Sequence, residues 1–185
     1  YYGILMNSYH NSSYQFRFEN KDLNFEYQVD FQSLDLIVED SLEKPEWTRL
    51  DYNKCESCPL NSSEVSHCPM ALATLKPVEI FNEKLSTEVV SVEVQTPERK
   101  YLKNCDLQTG LSAMMGLLMA TSGCPFFDFL KPMARFHSPF SSLEETHYRV
   151  LSLFLMRDHF NNENKGEQSL KQKVFEPYAK LASVN

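Results

Sequence analysis

The chain has 185 residues, of which 42% are hydrophobic, and its formal net charge at pH 7 is −7. This length and hydrophobic content predict one folded domain over residues 1–185 and exclude wholesale disorder. The 18 basic residues form no cluster, so nucleic acid is not expected as the main partner, because phosphate binding requires clustered Lys and Arg. The longest apolar stretch, residues 111–120, is too short to span a bilayer.

The first part of the chain shows the alternation of apolar and polar residues that is typical of strands. We expect residues 1–13 to be a flexible segment, because the alternation begins only after them. Apolar side chains then occupy every second position in 14–18 and in 23–29, which predicts a hairpin with one aromatic face. A shorter alternation at 34–38 predicts a third strand.

The middle of the chain is expected to hold short helices and a second hairpin. Pro69 suits the first position of a helix that ends near Leu75, and Pro77 suits the start of a further turn or two. Valines alternate at 90–94, the sequence TPER follows, and a return strand begins at Tyr101. This pattern predicts a hairpin.

The last part of the chain, residues 107–183, has the character of helices. Residues 107–122 are nearly all apolar, which predicts a buried helix. Small residues along one side of this helix, Gly110 among them, permit another backbone to approach closely. A short helix is expected at 125–130, stopped by Pro132.

Two further helices complete the pattern and define the fold class. The sequence SLEE from Ser142 is a capping box, and it predicts a long helix to about Phe160. A final amphipathic helix is expected at about 170–182, interrupted at Pro177. Strands followed by helices predict an α+β fold, in which an antiparallel sheet from the N-terminal hairpins packs against a C-terminal helical layer.

Three of the five cysteines cluster in the segment CESCPLNSSEVSHCP, residues 55–69, which we call the cysteine loop. Cys55 and Cys58 form a CxxC pair, and Cys68 follows after nine intervening residues. A CxxC pair in a chain without a secretory signal pattern indicates reduced thiols and predicts a cytoplasmic protein. The spacing predicts a metal-binding loop, and a tetrahedral site needs a fourth ligand. The candidates for this ligand are Cys105, Cys124, His67 and His137.

The prolines that follow the cysteines favour Cys124 as the fourth ligand. Cys58, Cys68 and Cys124 each precede a proline, whereas Cys105 precedes an aspartate. At Cys68 and Cys124 the proline also leads into an expected helix, whose dipole would favour a thiolate. We therefore predict that Cys55, Cys58, Cys68 and Cys124 bind one structural zinc ion and that Cys105 is an unpaired thiol. The alternatives are an iron–sulfur cluster, a thiol redox pair, and cysteines without a ligand.

A second dense stretch, SGCPFFDFLKPMARFH at residues 122–137, permits two interpretations. In the first, Cys124 at a helix N-terminus forms an activated thiol or an anion site together with Lys131, Arg135 and His137. In the second, the phenylalanines belong to the core, while Arg135 and His137 bind loop carbonyl groups. No trio of nucleophile, base and orienting group is recognisable, so the sequence assigns no catalytic residue.

Several motifs together resemble a known family. In chain order they are WTRL, CESCPL, HCPMA, TPER, LQTGLS, MATSGCP, KPMARFHSPF and EETHYR. From the first hairpin to nearly the C-terminus, the chain resembles a family of uncharacterised bacterial proteins classed as a domain of unknown function. The resemblance implies a single bacterial domain whose motif set includes CxxCP, HCP, TSGCP and KPMxRFH, with Cys105 outside it. It implies no activity.

These observations lead to three hypotheses about function. The leading one is a non-enzymatic, metal-stabilised module that binds a protein or small-molecule partner, because four thiolates close the coordination shell of the metal. The alternative is an enzyme that uses Cys124, or a metal with an exchangeable ligand, beside Arg135 and His137. The third is electron transfer through an iron–sulfur cluster.

Overall fold

The structure is a computed structural model that describes residues 9–38 and 43–161. The chain divides into two compact units, Tyr1–Phe140 and Ser141–Asn185. The expectation that both belong to one domain stays a prediction. The first unit contains a sheet and several short helices, and all five cysteines belong to it.

Four antiparallel strands form a single sheet in the order β2-β1-β3-β4. Their bounds are Tyr9–Arg17 for β1, Asp22–Asp30 for β2, Val89–Gln95 for β3 and Lys100–Asp106 for β4. Both predicted hairpins are confirmed, and β1 pairs with β3 to join them. The α+β class is confirmed as well.

The helices of the first unit follow the cysteine loop or the second hairpin. They are α1 at Pro69–Ala73, α2 at Leu75–Phe81, α3 at Leu107–Thr121 and α4 at Lys131–Arg135, with 3₁₀ helices at Glu46–Thr48 and Pro125–Leu130. No single helix in the described part of the chain is long and apolar enough to cross a membrane. One pair of helices among the described residues, Leu107–Thr121 and Pro125–Arg135, meets the requirements of length and composition when taken together, but it is bent by 105°.

The first strand starts earlier than the apolar alternation indicates. β1 begins at Tyr9, so residues 9–13, which we expected to be flexible, lie in the sheet. Ser12 pairs with Tyr27 of β2 and is 2% exposed. The polar side chains do not prevent pairing, because the ladder is formed by backbone groups. The remainder of the expected flexible segment, residues 1–8, lies outside the described residues.

The inner face of the sheet is buried against α3 because apolar side chains occupy alternate strand positions. The buried strand residues are Tyr14, Phe16, Phe25, Tyr27, Val29, Val90, Val92 and Val94. α3 contributes Leu107, Met114, Leu117 and Leu118 to the same core. A Cβ atom at Gly110 would lie 2.8 Å from Val92 Cγ2 and 2.9 Å from Phe16 Cε1. Gly110 thus permits a close approach, but of the Val92 and Phe16 side chains and not of another backbone as we predicted.

The strand predicted at 34–38 is not formed. Asp30 Oδ1 accepts backbone N–H bonds of 2.8 and 2.7 Å from the residues two and three positions later, and Leu34 has a φ of 59°. Only an isolated bridge between Leu36 and Val29 remains of the expected pairing. The prediction was wrong because a carboxylate that bonds to nearby N–H groups favours a turn over an extended chain.

Prolines lie within the first turns of short helices and do not end them. The segment expected to stop at Pro132 continues directly from the 3₁₀ helix into α4, where Pro132 is in the first turn. Pro77 lies in the first turn of α2 in the same way. First-turn N–H groups have no acceptor within the helix, so proline loses no hydrogen bond there. The short helix predicted at 125–130 is confirmed as a 3₁₀ helix with these bounds, but Pro132 does not stop the helical path, which continues in α4.

The second unit begins with α5, Leu143–Asn161, which confirms the predicted long helix. The backbone N–H of Ser142 donates to Glu145 Oε2 at 2.7 Å, and the N–H of Glu145 donates to Ser142 Oγ at 3.1 Å. This reciprocal pair is the predicted capping box. The bonds to Ser142 lower the pKa of Glu145. The helix expected at 170–182, with its interruption at Pro177, lies outside the described residues.

Candidate metal centre

The CxxC pair forms a tight turn at the protein surface. The backbone N–H of Cys58 donates to the carbonyl oxygen of Cys55 at 3.0 Å. Cys55 is exposed and Cys58 is partly buried. Lys54 Nζ donates to the carbonyl oxygen of Leu60, which closes the loop around the pair. The turn therefore brings the two cysteines close to each other while leaving Cys55 open to solvent.

Cys68 is held in place by its backbone. It is the N-cap of α1 and precedes Pro69 at the first helical position, as predicted. The Cys68 N–H donates to the carbonyl oxygen of Thr48 at 2.8 Å, and its own carbonyl accepts from the Leu72 N–H at 3.0 Å. An isolated bridge between Arg49 and His67 adds a second connection to the segment before the loop. The end of the cysteine loop is thus fixed although residues 55–68 contain neither helix nor strand.

His67, one of the candidate ligands, has a defined ring orientation. Its Nδ1 lies 2.8 Å from the hydroxyl of Thr48, which is fully buried. The same hydroxyl donates its single proton to the carbonyl oxygen of Pro45 at 2.7 Å. The hydroxyl must therefore accept from Nδ1–H, which leaves the lone pair of the neutral ring on Nε2. Metal-binding histidines are commonly oriented in this way, by a hydrogen bond from the ring nitrogen that does not bind the metal.

Cys124 is partly buried at the start of the 3₁₀ helix Pro125–Leu130, of which it is the N-cap. Burial raises the pKa of the Cys124 thiol, although the backbone N–H groups of Phe126 and Phe127 lower it. Cys68 and Cys58 interact electrostatically with the thiol and raise its pKa further. The helix start thus acts in the predicted direction, but desolvation outweighs it, so the pKa of the thiol is raised.

The Cys124 thiol lies near cysteines of two other segments. Cys124 is close enough to both Cys58 and Cys68 for their charges to affect it. Cys105 lies elsewhere, on β4, where it packs against the core of the sheet. Burial raises the pKa of the Cys105 thiol, and the charges that modify it belong to Lys103 and Asp106. That Cys105 is outside the ligand set stays a prediction.

Cys58 and Cys68 are near Cys124, but the cysteine thiols do not converge. Among the residues that the structure describes, no three His, Cys, Asp or Glu side chains are arranged so that they could hold a metal ion. The donor types nevertheless suit zinc, which prefers thiolate and imidazole ligands. N–H donors directed at the sulfur, as at Cys124, are typical partners of metal-bound thiolates.

Arg135 and His137 lie in a different environment from the one that an activated Cys124 requires. His137 Nε2 is 2.7 Å from the Tyr14 hydroxyl, and Tyr14 is fully buried. Burial raises the pKa of Tyr14 well above its usual value, so the phenol stays neutral. The Arg135 guanidinium lies over the rings of Phe31 and Phe136, 5.5 and 6.0 Å from their centroids. Neither residue is among the groups that shift the pKa of Cys124.

Two contacts of the site region have little or no signal in the sequence. The pair Tyr14–His137 joins residues 123 positions apart, and alternation indicates only that Tyr14 faces inward. The pair Thr48–His67 was missed because Thr48 lies in a stretch without periodicity. A histidine directly before a cysteine was the available sign that His67 belongs to the site region.

A groove of about 470 Å³ runs along β2 and is separate from the cysteines. Its walls come from β2, from the turn after it, and from α1 and α2; they are Asn24, Glu26, Tyr27, Gln28, Leu36, Ile37, Val38, Leu72, Ala73 and Lys76. Ile37 and Val38 are 49% and 43% exposed. Because no cysteine lines this groove, it does not open onto a Cys124-centred reaction site.

Comparison with known proteins gives one relationship. The family model described as "Domain of unknown function (DUF6901)" matches residues 12–178, which is most of the chain. No curated protein and no solved structure matches the sequence. The match supplies a family without an activity, as the motif resemblance implied. The chain belongs to the DUF6901 family.

Proposed function

We propose that this protein is a metal-stabilised binding or regulatory module in which Cys55, Cys58, Cys68 and Cys124 bind one zinc ion. The observation that carries the proposal is the electrostatic interaction of the Cys124 thiol with Cys68 and Cys58. These three cysteines belong to the CxxC turn, to the start of α1 and to the start of the 3₁₀ helix that precedes α4. These are the segments that the prolines singled out.

The chemistry of the four thiols supports a structural role for the metal. Zinc would bind the four cysteines as thiolates. In the free chain, burial raises the pKa of Cys124 and keeps the thiol protonated, and the charge of zinc would lower that pKa. Four thiolates leave no position for a water or a substrate. The protein contributes the N–H group of Phe126, which faces the Cys124 sulfur and stabilises negative charge there.

Zinc binding would also order the cysteine loop. Cys68 and Cys124 are fixed at the starts of helices, whereas Cys55 is exposed. Since the thiols do not yet converge, the CxxC turn must move toward the other two cysteines when the metal binds. The free energy of metal binding then becomes part of the free energy of folding, as in other small zinc sites.

His67 offers the alternative fourth ligand that the sequence left open. Thr48 fixes its ring so that Nε2 carries the lone pair, which is the form that binds a metal. His67 directly precedes Cys68, so it lies near the same site. A site of three cysteines and His67 would still be closed and structural.

The enzyme hypothesis has less support. A nucleophilic thiol needs a lowered pKa, whereas burial raises that of Cys124. His137 is hydrogen-bonded to Tyr14, and Arg135 stacks on two aromatic rings. An iron–sulfur cluster would use the same four cysteines, so metal analysis must distinguish it. Bacterial origin, a cytoplasmic location, the family motif set, and a protein or small-molecule partner remain parts of this proposal.

Metal analysis of three proteins tests the proposal. Plasma mass spectrometry should find about one equivalent of zinc in the wild type and in Cys105→Ser, and almost none in Cys124→Ser. The two variants are matched, because each removes a partly buried thiol. Loss of zinc should lower the free energy of unfolding of Cys124→Ser by several kcal/mol.

Other outcomes separate the alternatives. Zinc retained in Cys124→Ser but lost in a Cys124→Ser, His67→Ala double variant would identify His67 as the ligand that replaces Cys124. Iron and labile sulfide in an anaerobic preparation would indicate a cluster. Fast selective alkylation of Cys124 in zinc-loaded protein would favour the enzyme. A carefully purified wild type without metal would refute the metal-stabilised module.

A further inference from the structure

We propose that Cys55 and Cys58 form a redox modification site, at which a peroxide oxidises the pair to a disulfide. Release of the metal by this reaction rests on the zinc site proposed above. Formation of the disulfide does not, because it depends only on the geometry and exposure of the CxxC turn.

The turn places the two cysteines within reach of a disulfide. The bond from the Cys58 N–H to the Cys55 carbonyl, at 3.0 Å, closes a four-residue turn. The Cα atoms at the ends of such a turn are less than about 7 Å apart. Disulfides join Cα atoms separated by roughly 4.4 to 6.8 Å, so bridging the pair requires little backbone movement.

Exposure makes Cys55 the cysteine at which oxidation begins. It is the one cysteine of the five that is exposed, and residues 51–57 around it are exposed as well. Cys68 and Cys124 are partly buried and are each the N-cap of a helix. A small oxidant therefore reaches Cys55 without any opening of the fold, and Cys58 is the neighbouring thiol that can resolve the product.

The reaction is balanced with hydrogen peroxide as the oxidant. The Cys55 thiolate attacks one peroxide oxygen, the O–O bond breaks, and a sulfenic acid and hydroxide form. The Cys58 thiolate then attacks the Cys55 sulfur, the S–S bond forms, the S–O bond breaks, and hydroxide leaves. The two sulfurs lose two electrons, the peroxide gains them, and two protons from solvent convert both hydroxides to water.

Oxidation would dismantle the zinc site. A disulfide sulfur is not a thiolate and does not serve as a zinc ligand, so the metal would lose both ligands from the CxxC turn. Cys68 and Cys124 would remain, and two thiolates do not close a tetrahedral site. The exposed half of the ligand set would thus couple metal occupancy to the peroxide concentration, while the partly buried half stays reduced.

The test follows zinc and disulfides together during peroxide treatment. Reduced protein is treated with hydrogen peroxide in the presence of a chromogenic zinc chelator, and disulfides are mapped by peptide mass spectrometry after alkylation. We expect a Cys55–Cys58 disulfide to appear with the release of about one equivalent of zinc. A thiol reductant followed by zinc should restore the metal content. Cys105→Ser is the matched control and should behave like the wild type.

A second variant separates this inference from the zinc site. Cys124→Ser should form the Cys55–Cys58 disulfide at a rate at least equal to that of the wild type, although it lacks zinc. Zinc-loaded wild type that forms no such disulfide, or that pairs Cys58 with Cys68 or Cys124 instead, would overturn the redox site and leave the zinc proposal intact. A further outcome is that wild type contains no zinc when it is purified in reduced form. If that protein still forms the Cys55–Cys58 disulfide, the redox site is supported and the zinc proposal is refuted.

Discussion

The sheet with α3 and the cysteine loop are stabilised by different kinds of interaction. Phe16 of the sheet and Met114 of α3 are fully buried, and partly buried residues of β4 extend the core that β1, β2 and β3 form. The cysteine loop is mostly exposed and is held at its end by backbone bonds, among them the 2.8 Å bond from the Cys68 N–H to Thr48. The loop therefore has no core of its own. A metal would supply the cohesion there that apolar burial supplies in the sheet.

The largest expected effect comes from opening the core of the sheet. Phe16 is fully buried and contacts the rings of Phe25 and Phe81, with centroids 5.9 and 5.1 Å away. Phe16→Ala should lower the free energy of unfolding by about 3–5 kcal/mol, because it leaves a cavity. Urea denaturation measures this loss. Leu102→Ala, at an outer-face position that is 65% exposed, should change stability by less than about 0.5 kcal/mol.

Phe16→Ala also tests whether the sheet core and the cysteine loop are stabilised independently of each other. We expect folded Phe16→Ala to keep the zinc content of the wild type, because the Phe16 ring contacts belong to the sheet core. Loss of zinc from the folded variant at temperatures well below its transition would show that core and loop are one cooperative unit.

The next effect comes from overfilling the contact between α3 and the sheet. In Gly110→Ala the new methyl group would meet Val92 and Phe16 at less than 3.0 Å, so these buried side chains must shift. We expect a loss of about 1–3 kcal/mol. In the control Gly116→Ala the new methyl group would lie 3.5 Å from His137, an ordinary contact. This control should be neutral or slightly stabilising, since alanine favours a helix over glycine by about 1 kcal/mol.

Thermal unfolding of Gly110→Ala and Gly116→Ala tests whether α3 is packed more tightly at Gly110 than at Gly116. If the two variants are equally destabilised, the tight packing at Gly110 does not limit the fold, and the contrast with the loop is weaker than we infer. A large loss in Gly110→Ala alone assigns the constraint to the contact with β1 and β3.

The buried hydroxyl of Thr48, which bonds to His67 of the cysteine loop, provides the corresponding test for that loop. Thr48→Val keeps the shape of a fully buried side chain but leaves His67 Nδ1 without its acceptor, which should cost about 1–3 kcal/mol. Zinc affinity should fall as well, because the segment that holds Cys68 loses a connection. Competition with a chelator measures the affinity. Thr96→Val, which removes a buried hydroxyl from the turn between β3 and β4, should lower stability without weakening zinc binding.

The smallest effect concerns the start of α3. Asp106 Oδ1 accepts from the Thr109 N–H at 2.7 Å, and the bonds to Thr109 hold the pKa of Asp106 below its usual 3.8. Because the folded pKa is lowered, this stabilisation is complete above pH 3.8 and is lost as the pH falls through the folded value. Acid titrations of stability should show this component in the wild type. Asp106→Asn keeps a capping oxygen and should lack it, and equal titration curves would contradict the assignment.

The sequence predicted the sheet better than the candidate site because the two depend on interactions of different range. Alternation identified both hairpins, and apolar content identified α3, since each signal is local. Alternation failed at 34–38, where the hydrogen bonds that Asp30 accepts favour a turn. Spacing and the following prolines selected Cys58, Cys68 and Cys124 as metal ligands, a choice that stays a prediction, although Cys124 does lie near the other two. The partners of His67 and His137 depend on long-range packing, and so does the desolvation of Cys124.

The central position of β1 has a consequence for how the chain is made. One edge of β1 pairs with β2, which follows at once, but Arg17 on the other edge pairs with Ser91 of β3. On the ribosome, the whole cysteine loop is therefore synthesised before β1 obtains its second neighbour. An isolated two-stranded hairpin is only marginally stable, and an open strand edge is a template for pairing with other chains. We expect nascent or refolding chains to be most prone to aggregation in this interval, and the late β1–β3 contact to limit the rate of folding.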